Sequence, residues 1–419
     1  MEVLDQNDEI LFRSSCRLCD SSHLTLEVSL PHSVIADKYF IKPNTRVDKY
    51  PLHLYQCHAC GHIQALDVMP LSTLFDQNYT YKPSKNPALV THFKNYALLV
   101  DKHCTSSNQD RKSLDIGSND GLFLESLKNI GFDVLGIEPS MAASSAAHTR
   151  GINTIQRFFD ESEAAIISQK FGLFDHISAN NVYAHNDDLQ GFTQGVSNLL
   201  KDSGIFTFEI SYLADIIERR LIGTVFHEHL SHHSLLSLIP FLRKYNLHLI
   251  DAVKVNTQGG ALIGVAKKGQ AVNDLRSDAL LHILAKEESM GLASIQSGAL
   301  LRKNFCDLSN EFNKKFNNVV STANRVIGYG AARSSNLLIE FLQIKDDLDL
   351  IIDSNPEKCG KYLYNSNIQI TSEKQFDFQP GDLVIPLAWV HSENIVKKLS
   401  LLEEVSVLTF YPSVKLYKK

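Results

Sequence analysis

"LDIGSNDGLFLE", residues 114–125, joins a short apolar run to an amphipathic one through the turn from Gly117 to Gly121. An apolar strand that ends in glycines and leads into a helix is typical of a site where the backbone approaches a ligand. The D-x-G-x-x-x-G spacing, which begins at Asp115, differs from the G-x-G-x-x-G of nicotinamide-binding folds. An acidic residue at the strand end favours a cationic or hydroxylated ligand over a pyrophosphate.

Two later strand-like runs end in polar residues. "VLGIEPS" carries Glu138, whose carboxylate can accept hydrogen bonds from both hydroxyls of a ribose. "FDHISANNVYAH" ends its apolar part at Asn180 and Asn181. Together with the glycine turn, these runs resemble the motifs of class I S-adenosylmethionine-dependent methyltransferases. The resemblance implies that the methyl donor is bound by Asp115, Gly117, Asn119, Gly121, Glu138, Asn180 and Asn181.

Four of the seven cysteines form two C-x-x-C pairs, in "SCRLCDS" and "QCHACGH". Two thiolates three residues apart can bind one metal ion, and two such knuckles complete a tetrahedral zinc site. All four positions are then sulfur, which predicts a structural zinc rather than a catalytic one. The predicted ligands are Cys16, Cys19, Cys57 and Cys60, with His58 and His62 as alternatives.

The 419 residues suffice for two or three domains. We expect an α/β protein with a small zinc-binding domain at residues 1–84, a Rossmann-like methyltransferase domain at 85–272 and a second Rossmann-like domain at 273–419. Strand-like and helical runs alternate in the last two blocks, which predicts mostly parallel sheets. Between them, the 3–4 spacing of apolar residues from Leu301 to Val319 predicts one long helix.

The net charge of −6 argues against binding nucleic acid through bulk positive charge. No apolar run approaches the roughly 20 residues that span a bilayer, so no membrane association is expected. The acidic start "MEVLDQNDEI" lacks the features of a signal peptide, which predicts a cytoplasmic protein. We expect a monomer or weak dimer.

Most of the chain resembles the nucleotide-sugar C-methyltransferases, which act on 4-keto-6-deoxy sugars. The matching segments run from "CRLC" to "LAW" and include "NYTYKPS", "FHEHLSHHSLLSL", "TQGGALIGV", "GYGAARSSN" and "DSNPEKCGK". The resemblance implies S-adenosylmethionine as the methyl donor, a nucleotide-sugar as the substrate and methylation at C-3 through an enolate.

Methylation of carbon requires a base that removes a proton next to the ketone. The resemblance implies that His229 is this base and that Glu228 supports the site, while His227 is the alternative base. Phe226 stands where the family usually has a tyrosine, and His232 or His233 where it has a second one. These departures leave the substrate, and even the methylated atom, open.

Other residues are predicted to contact the substrate, by resemblance or by position. They are Tyr79, Tyr81, His185, Phe226, His232, Arg333 and Asp353. In "VIGYGAARSS", Gly328 and Gly330 form a second glycine turn, and Arg333 is the candidate phosphate contact.

Two alternative functions remain from the sequence. A methyltransferase of the same build could act on a sugar oxygen or nitrogen, or on another small substrate. An NAD-linked oxidoreductase could use the second glycine turn, since Asp353 lies where a dinucleotide-binding fold places an acidic residue.

Overall fold

A computed structural model describes residues 10–70, 74, 83–104, 111–269 and 276–418. The predicted substrate residues Tyr79 and Tyr81 lie outside the described residues. The described strands are β1 Leu11–Phe12, β2 Leu24–Ser33, β3 Tyr50–Cys57, β4 Ile63–Ala65, β5 Asp67–Val68, β6 Arg111–Ile116, β7 Phe132–Ile137, β8 Thr154–Ile155, β9 Phe174–Asn180, β10 Leu200–Ser211, β11 Ser231–His232, β12 Leu247–Val255, β13 Ala261–Lys268, β14 Arg325–Tyr329, β15 Leu350–Asp353, β16 Gln369–Ser372, β17 Asp382–Pro386, β18 Ser406–Thr409 and β19 Lys415–Tyr417.

The described α-helices follow the same chain order. They are α1 Pro87–His103, α2 Leu122–Lys128, α3 Met141–Thr149, α4 Glu161–Phe171, α5 Leu189–Leu199, α6 Leu213–Glu218, α7 Leu235–Lys244, α8 Asp278–Ser289, α9 Gln296–Asn317, α10 Ser335–Phe341 and α11 Ser392–Leu399. Within the described ranges, no helix combines the length and the apolar character needed to cross a membrane.

The chain forms two compact units, each built from segments that are distant in sequence. The first unit comprises Met1–Thr25, Gln56–Ala214 and Leu230–Ser297. The second comprises Leu26–Tyr55, Asp215–His229 and Gly298–Lys419. These two units group the chain in a different way from the three predicted domains, whose boundaries remain a prediction.

The first unit contains a seven-stranded sheet in the order β12-β13-β10-β9-β6-β7-β8. The strands from β10 to β8 are parallel, whereas β13 is antiparallel to both of its neighbours. This is the Rossmann-like α/β sheet of class I methyltransferases, so the predicted fold class is confirmed. Buried side chains of α1, such as Phe93, Tyr96 and Val100, pack with Phe123 and Leu127 of α2 in one core cluster.

The second unit contains a six-stranded sheet in the order β16-β15-β14-β17-β18-β19. Its first five strands are parallel and β19 is antiparallel, and the order is that of a doubly wound nucleotide-binding sheet. The predicted long helix is α9, which buries Leu301, Phe305, Leu308 and Phe312 as the 3–4 spacing requires. Both α/β sheets are therefore present as the alternating pattern predicted.

Candidate active site

A cavity of about 330 Å³ lies in the first unit, at the carboxyl ends of β6, β7, β9 and β10. Ligands of α/β folds bind at this edge of a parallel sheet, where the strand order reverses. Six of the seven predicted donor-binding residues line the cavity: Asp115, Gly117, Asn119, Glu138, Asn180 and Asn181. The seventh, Gly121, is the N-cap residue of α2.

The glycine turn after β6 depends on two left-handed backbone conformations. Gly117 has φ of +72°, and a Cβ at this position would lie 2.3 Å from Val182 Cγ2. Gly121 has φ of +76° and caps the N-terminus of α2. Only glycine adopts these conformations without strain, so the turn can bring its backbone amides to the cavity.

Asp115 is buried at the end of β6. Its Oδ1 accepts hydrogen bonds from Ser178 Oγ at 2.7 Å and from Asn180 Nδ2 at 3.3 Å. Burial raises the pKa of Asp115 to about 7. The two hydrogen bonds lower this pKa, but burial has the larger effect. A cationic ligand in the cavity would favour the ionised form, so Asp115 is suited to the positively charged end of a methyl donor.

Glu138, at the end of β7, links the glycine turn after β6 to the residue that precedes α3. Its Oε2 accepts the Asn119 amide at 3.0 Å, and its Oε1 accepts the Ser140 amide at 2.8 Å. Burial raises the pKa of Glu138, although both amide bonds lower it. Each carboxylate oxygen has a second lone pair, so Glu138 can still accept the two ribose hydroxyls for which it was predicted.

The loop after β9 carries the remaining predicted cavity residues. Asn180 Oδ1 is buried and has no hydrogen-bond partner among the residues that the structure describes. Asn181 has φ of +54° and donates its amide to the Glu209 carbonyl at 2.8 Å. His185 ends the short 3-10 helix Tyr183–His185 and lines the cavity. An unpaired amide oxygen at a cavity wall fits a hydrogen-bond donor on the ligand.

Three polar residues of the cavity that sequence reasoning did not find form one hydrogen-bonded group. Glu209 of β10 accepts hydrogen bonds from His92 Nε2 of α1 at 2.7 Å and from Thr257 Oγ1 at 2.5 Å. Glu209 is almost fully buried in the second half of β10, where every side chain is buried. A lone acidic residue inside the strand-like run "GIFTFEI" was the only available signal, since His92 lies 117 residues away in sequence.

The four predicted zinc ligands converge in the first unit. Their sulfur atoms all lie within 4.8 Å of one another, with Cys16 Sγ 3.7 Å from Cys60 Sγ and Cys19 Sγ 3.5 Å from Cys57 Sγ. Tetrahedral coordination with Zn–S bonds of about 2.3 Å places ligand sulfurs about 3.8 Å apart. The residues therefore fit a structural zinc ion, which would link the two knuckles.

The segment His227–Glu228–His229 lies in the second unit and is buried. The ring Nδ1 of His229 lies 2.5 Å from the Thr224 carbonyl oxygen, to which it donates a proton. The lone pair of this neutral tautomer is then on Nε2, which can accept a proton. Burial lowers the pKa of His229 to about 4. His227 Nε2 lies 3.4 Å from the Tyr50 carbonyl oxygen, and burial lowers its pKa to about 4 as well.

Arg333, predicted as a phosphate contact, forms an ion pair with Glu228. Burial raises the pKa of Glu228, and the Arg333 guanidinium opposes this rise. The Phe226 ring is close to both His229 and Arg333: its centroid is 4.0 Å from that of the His229 ring and 5.8 Å from the Arg333 guanidinium carbon. Arg333 is thus linked to the histidine segment within the same unit.

The predicted histidine group is divided between the two units. His232 and His233 belong to the first unit, where β11 pairs with β4, and both are buried. The His233 ring stacks on those of His62 and Tyr183, with centroid distances of 5.1 and 5.6 Å. The role of His232 in substrate binding remains a prediction.

Asp353 ends β15 in the second unit and accepts a backbone amide of the second glycine turn, which follows β14. Its Oδ2 accepts the Ala331 amide at 2.6 Å, and its Oδ1 accepts the Asn355 amide at 2.7 Å. This carboxylate therefore stabilises the turn that follows Gly330.

Three family models match the chain in succession. They describe a zinc binding domain at residues 16–75, a methyltransferase domain at 90–252 and a C-methyltransferase C-terminal domain at 256–409. The chain is 27% identical over 348 residues to the C-methyltransferase NovU of Streptomyces niveus, a match that covers 83% of this chain and 82% of NovU.

Two further similarities concern the middle of the chain. A ubiquinone biosynthesis O-methyltransferase of Colwellia psychrerythraea is 26% identical over 199 residues, 43% of this chain and 80% of that protein. The structure of an S-adenosylmethionine-dependent methyltransferase from Clostridium acetobutylicum covers 43% of this chain and 92% of its own, with 17% identity and a TM-score of 0.35.

The cavity lined by six predicted donor-binding residues, the four-cysteine cluster and the succession of family models all fit one family. The chain belongs to a family of S-adenosylmethionine-dependent C-methyltransferases that combine a zinc-binding N-terminal domain, a methyltransferase domain and a C-methyltransferase C-terminal domain.

Proposed function

We propose that the enzyme methylates C-3 of a nucleotide-linked 4-keto-6-deoxy sugar. The observation that carries this proposal is the buried His229, whose Nδ1–H is fixed on the Thr224 carbonyl so that Nε2 holds the lone pair. A base of this kind is needed for methylation of carbon but not for every methylation of oxygen or nitrogen. The resemblance of most of the chain to nucleotide-sugar C-methyltransferases supports the choice of substrate.

The proposed reaction begins with proton transfer from C-3 to His229 Nε2. The electrons of the broken C–H bond form the enolate with the neighbouring C-4 ketone. When bound, S-adenosylmethionine supplies an electrophilic methyl group on a positively charged sulfur. C-3 forms the new carbon–carbon bond to this methyl group, and the former S–CH₃ bonding pair stays on sulfur. His229 then releases its proton to solvent.

The Arg333 guanidinium is one of the causes that lower the pKa of His229. If Arg333 binds the diphosphate of the nucleotide, its charge is neutralised and the pKa of His229 rises. Substrate binding would then strengthen the base. The further substrate contacts that we propose are Tyr79, Tyr81, His185, Phe226, His232 and Asp353, with Glu228 supporting Arg333. We also propose a cytoplasmic enzyme that acts as a monomer or weak dimer.

Exchange of the C-3 proton for deuterium, measured without methyl donor, tests the base directly. We expect His229→Asn to lower both the exchange rate and methyl transfer by about 10²–10⁴-fold, the usual contribution of a general base. S-adenosylmethionine affinity should not change. His227→Asn is the matched control, since His227 lies in the same buried segment. If only His227→Asn abolishes exchange, His227 is the base and the assignment of His229 is wrong.

A second candidate function is methyl transfer to a sugar oxygen or nitrogen. Phe226 favours it, because phenylalanine has no hydroxyl group with which to polarise a keto sugar. If neither histidine variant changes turnover, deprotonation of carbon by this segment is excluded. The mass and proton spectrum of the product, obtained with a panel of keto and hydroxy sugars, would then identify the methylated atom.

A further inference from the structure

Residues 181–190 connect the donor cavity to the zinc-binding region. Asn181, Val182, His185 and Asn186 line the cavity. The same loop continues through Asp187 to the start of α5 at Leu189. Any displacement of this loop would therefore change the wall of the donor cavity.

The first cysteine knuckle contacts the end of this loop. Arg17 lies between Cys16 and Cys19 and is completely buried. Its guanidinium forms an ion pair with Asp187 Oδ1 at 2.9 Å, and Arg13 pairs with the other carboxylate oxygen at 3.3 Å. The negative charge of Asp187 offsets part of the cost of burying the guanidinium.

Other contacts fix the position of this buried arginine. Its Nη1 donates to the Ala65 carbonyl at 2.5 Å and to Gln64 Oε1 at 3.1 Å. On the far side of Cys19, Asp20 accepts a hydrogen bond from Gln190 Nε2 at 2.7 Å. Arg17 inside the first knuckle and Asp20 directly after it thus contact residues 187 and 190.

The second knuckle reaches the same loop through stacked rings. His62 follows Cys60 and Gly61, and the His62 carbonyl accepts the Cys57 amide at 2.9 Å. The His62 ring stacks on His233, which stacks on Tyr183 in the middle of the loop. Neither ring nitrogen of His233 has a hydrogen-bond partner among the described residues, so the stack is held by ring packing.

From these contacts we infer that the two zinc knuckles position residues 181–190, and that S-adenosylmethionine affinity depends on the structural metal. Arg17, Asp187 and His233 are the positioning residues. Zinc would fix the Cys16–Cys19 turn that presents Arg17 and the Cys57–Cys60 turn that precedes His62. The inference concerns donor binding alone, so it does not depend on which substrate the enzyme methylates.

Removal of zinc from the full-length protein tests the metal dependence. We expect a chelator to increase deuterium exchange in the amides of residues 181–190 and to weaken S-adenosylmethionine binding, measured by calorimetry without substrate. Added zinc should restore both properties. Metal-free protein with unchanged exchange and unchanged donor affinity would overturn the inference.

Two variants at His233 separate ring packing from hydrogen bonding. His233→Phe keeps an aromatic ring in the stack, whereas His233→Ala removes it. We expect His233→Phe to bind S-adenosylmethionine like the wild type and His233→Ala to bind it about tenfold more weakly, as for a free-energy loss of about 1.4 kcal/mol. If wild type and His233→Ala bind S-adenosylmethionine with equal affinity while zinc is retained, the stacked rings of His62, His233 and Tyr183 do not position the loop.

Asp187→Asn tests the contribution of the Arg17–Asp187 ion pair without removing zinc. It removes the negative charge opposite Arg17 but keeps an acceptor oxygen, so the protein should fold. We expect faster exchange at residues 181–190 and weaker donor binding. Lys244→Met is the matched control, because Lys244 Nζ donates to the Leu18 carbonyl from α7 and, among the described residues, forms no hydrogen bond or ion pair with residues 181–190. If both variants weaken donor binding equally, the knuckle acts on overall stability and the inference is wrong.

Discussion

We expect the buried carboxylate of Asp115 to make donor binding depend on pH. Burial raises the pKa of Asp115 to about 7 in the ligand-free protein. With this pKa, the ionised fraction is about 1% at pH 5 and about 10% at pH 6. If the carboxylate binds the cationic methionine end of the donor, the dissociation constant of S-adenosylmethionine should fall about tenfold from pH 5 to pH 6. The α-amino group of the donor, with a pKa of about 7.7–8.0, stays charged in this range.

The same group changes the stability of the ligand-free protein in the opposite sense. The folded state retains a proton on Asp115 that the unfolded chain releases above its pKa of 3.8. The contribution of Asp115 to stability therefore falls as the pH rises from about 4 to about 7. Donor binding offsets this loss, so the increase in Tm caused by S-adenosylmethionine should grow over the same pH range.

Calorimetric titrations of wild type and Asp115→Asn at pH 5, 6 and 7 provide the assay. Asp115→Asn should bind more weakly at pH 7 and lose the tenfold dependence between pH 5 and 6. S-adenosylhomocysteine is the matched ligand, since it keeps the ammonium group and lacks the sulfonium charge. A pH dependence limited to S-adenosylmethionine would assign Asp115 to the sulfonium. If Asp115→Asn keeps the full wild-type pH dependence, another group titrates and our reasoning about Asp115 is refuted.

Three further outcomes are expected. Glu138→Ala should weaken S-adenosylmethionine binding at least tenfold, because it removes hydrogen bonds to a charged group worth about 1.5–3 kcal/mol each; unchanged affinity in a calorimetric titration would show that Glu138 does not hold the ribose. Elemental analysis should find about one zinc per chain, as four thiolate ligands require, and a folded, active preparation without zinc would disprove the metal site. Arg333→Met should lower the free energy of unfolding in urea by roughly 1–3 kcal/mol, because Glu228 then stays buried without its cation. Arg333→Lys should recover part of this loss, and equal stability of the two variants would argue against the ion pair.

Local sequence patterns predicted much of the fold and of the donor cavity. The glycine turn, Glu138 and the two asparagines Asn180 and Asn181 all lie at the ends of predicted strands. Parallel strands bring such ends together at one edge of the sheet. The 3–4 spacing likewise predicted α9, because one helix face must be apolar to be buried. Each of these signals is contained within a few neighbouring residues.

Features that depend on distant parts of the chain were not predictable in this way. The contact of His92 with Glu209 joins α1 to β10, and no local pattern indicates their pairing. The histidines of "FHEHLSHH" look like one group in sequence, yet the pairing of β11 with β4 assigns His232 to another unit than His229. Asp353 has the spacing of an acidic residue in a dinucleotide site, and no local pattern indicates that one of its oxygens accepts the Ala331 amide of the glycine turn, 22 residues away, while the other accepts the Asn355 amide. Tertiary pairing decides these cases.

The interleaved segments of the second unit have a consequence for synthesis on the ribosome. Leu26–Tyr55 belongs to this unit together with Gly298–Lys419, so its first part leaves the ribosome long before its last part. At roughly 5–20 residues per second, about 10–50 seconds separate the translation of Tyr55 from that of Gly298. During this interval the buried side chains of β2 and β3, such as Val28, Leu30 and Leu54, lack their final neighbours. The nascent chain must therefore keep an early apolar segment from aggregating until almost three quarters of the sequence has been made.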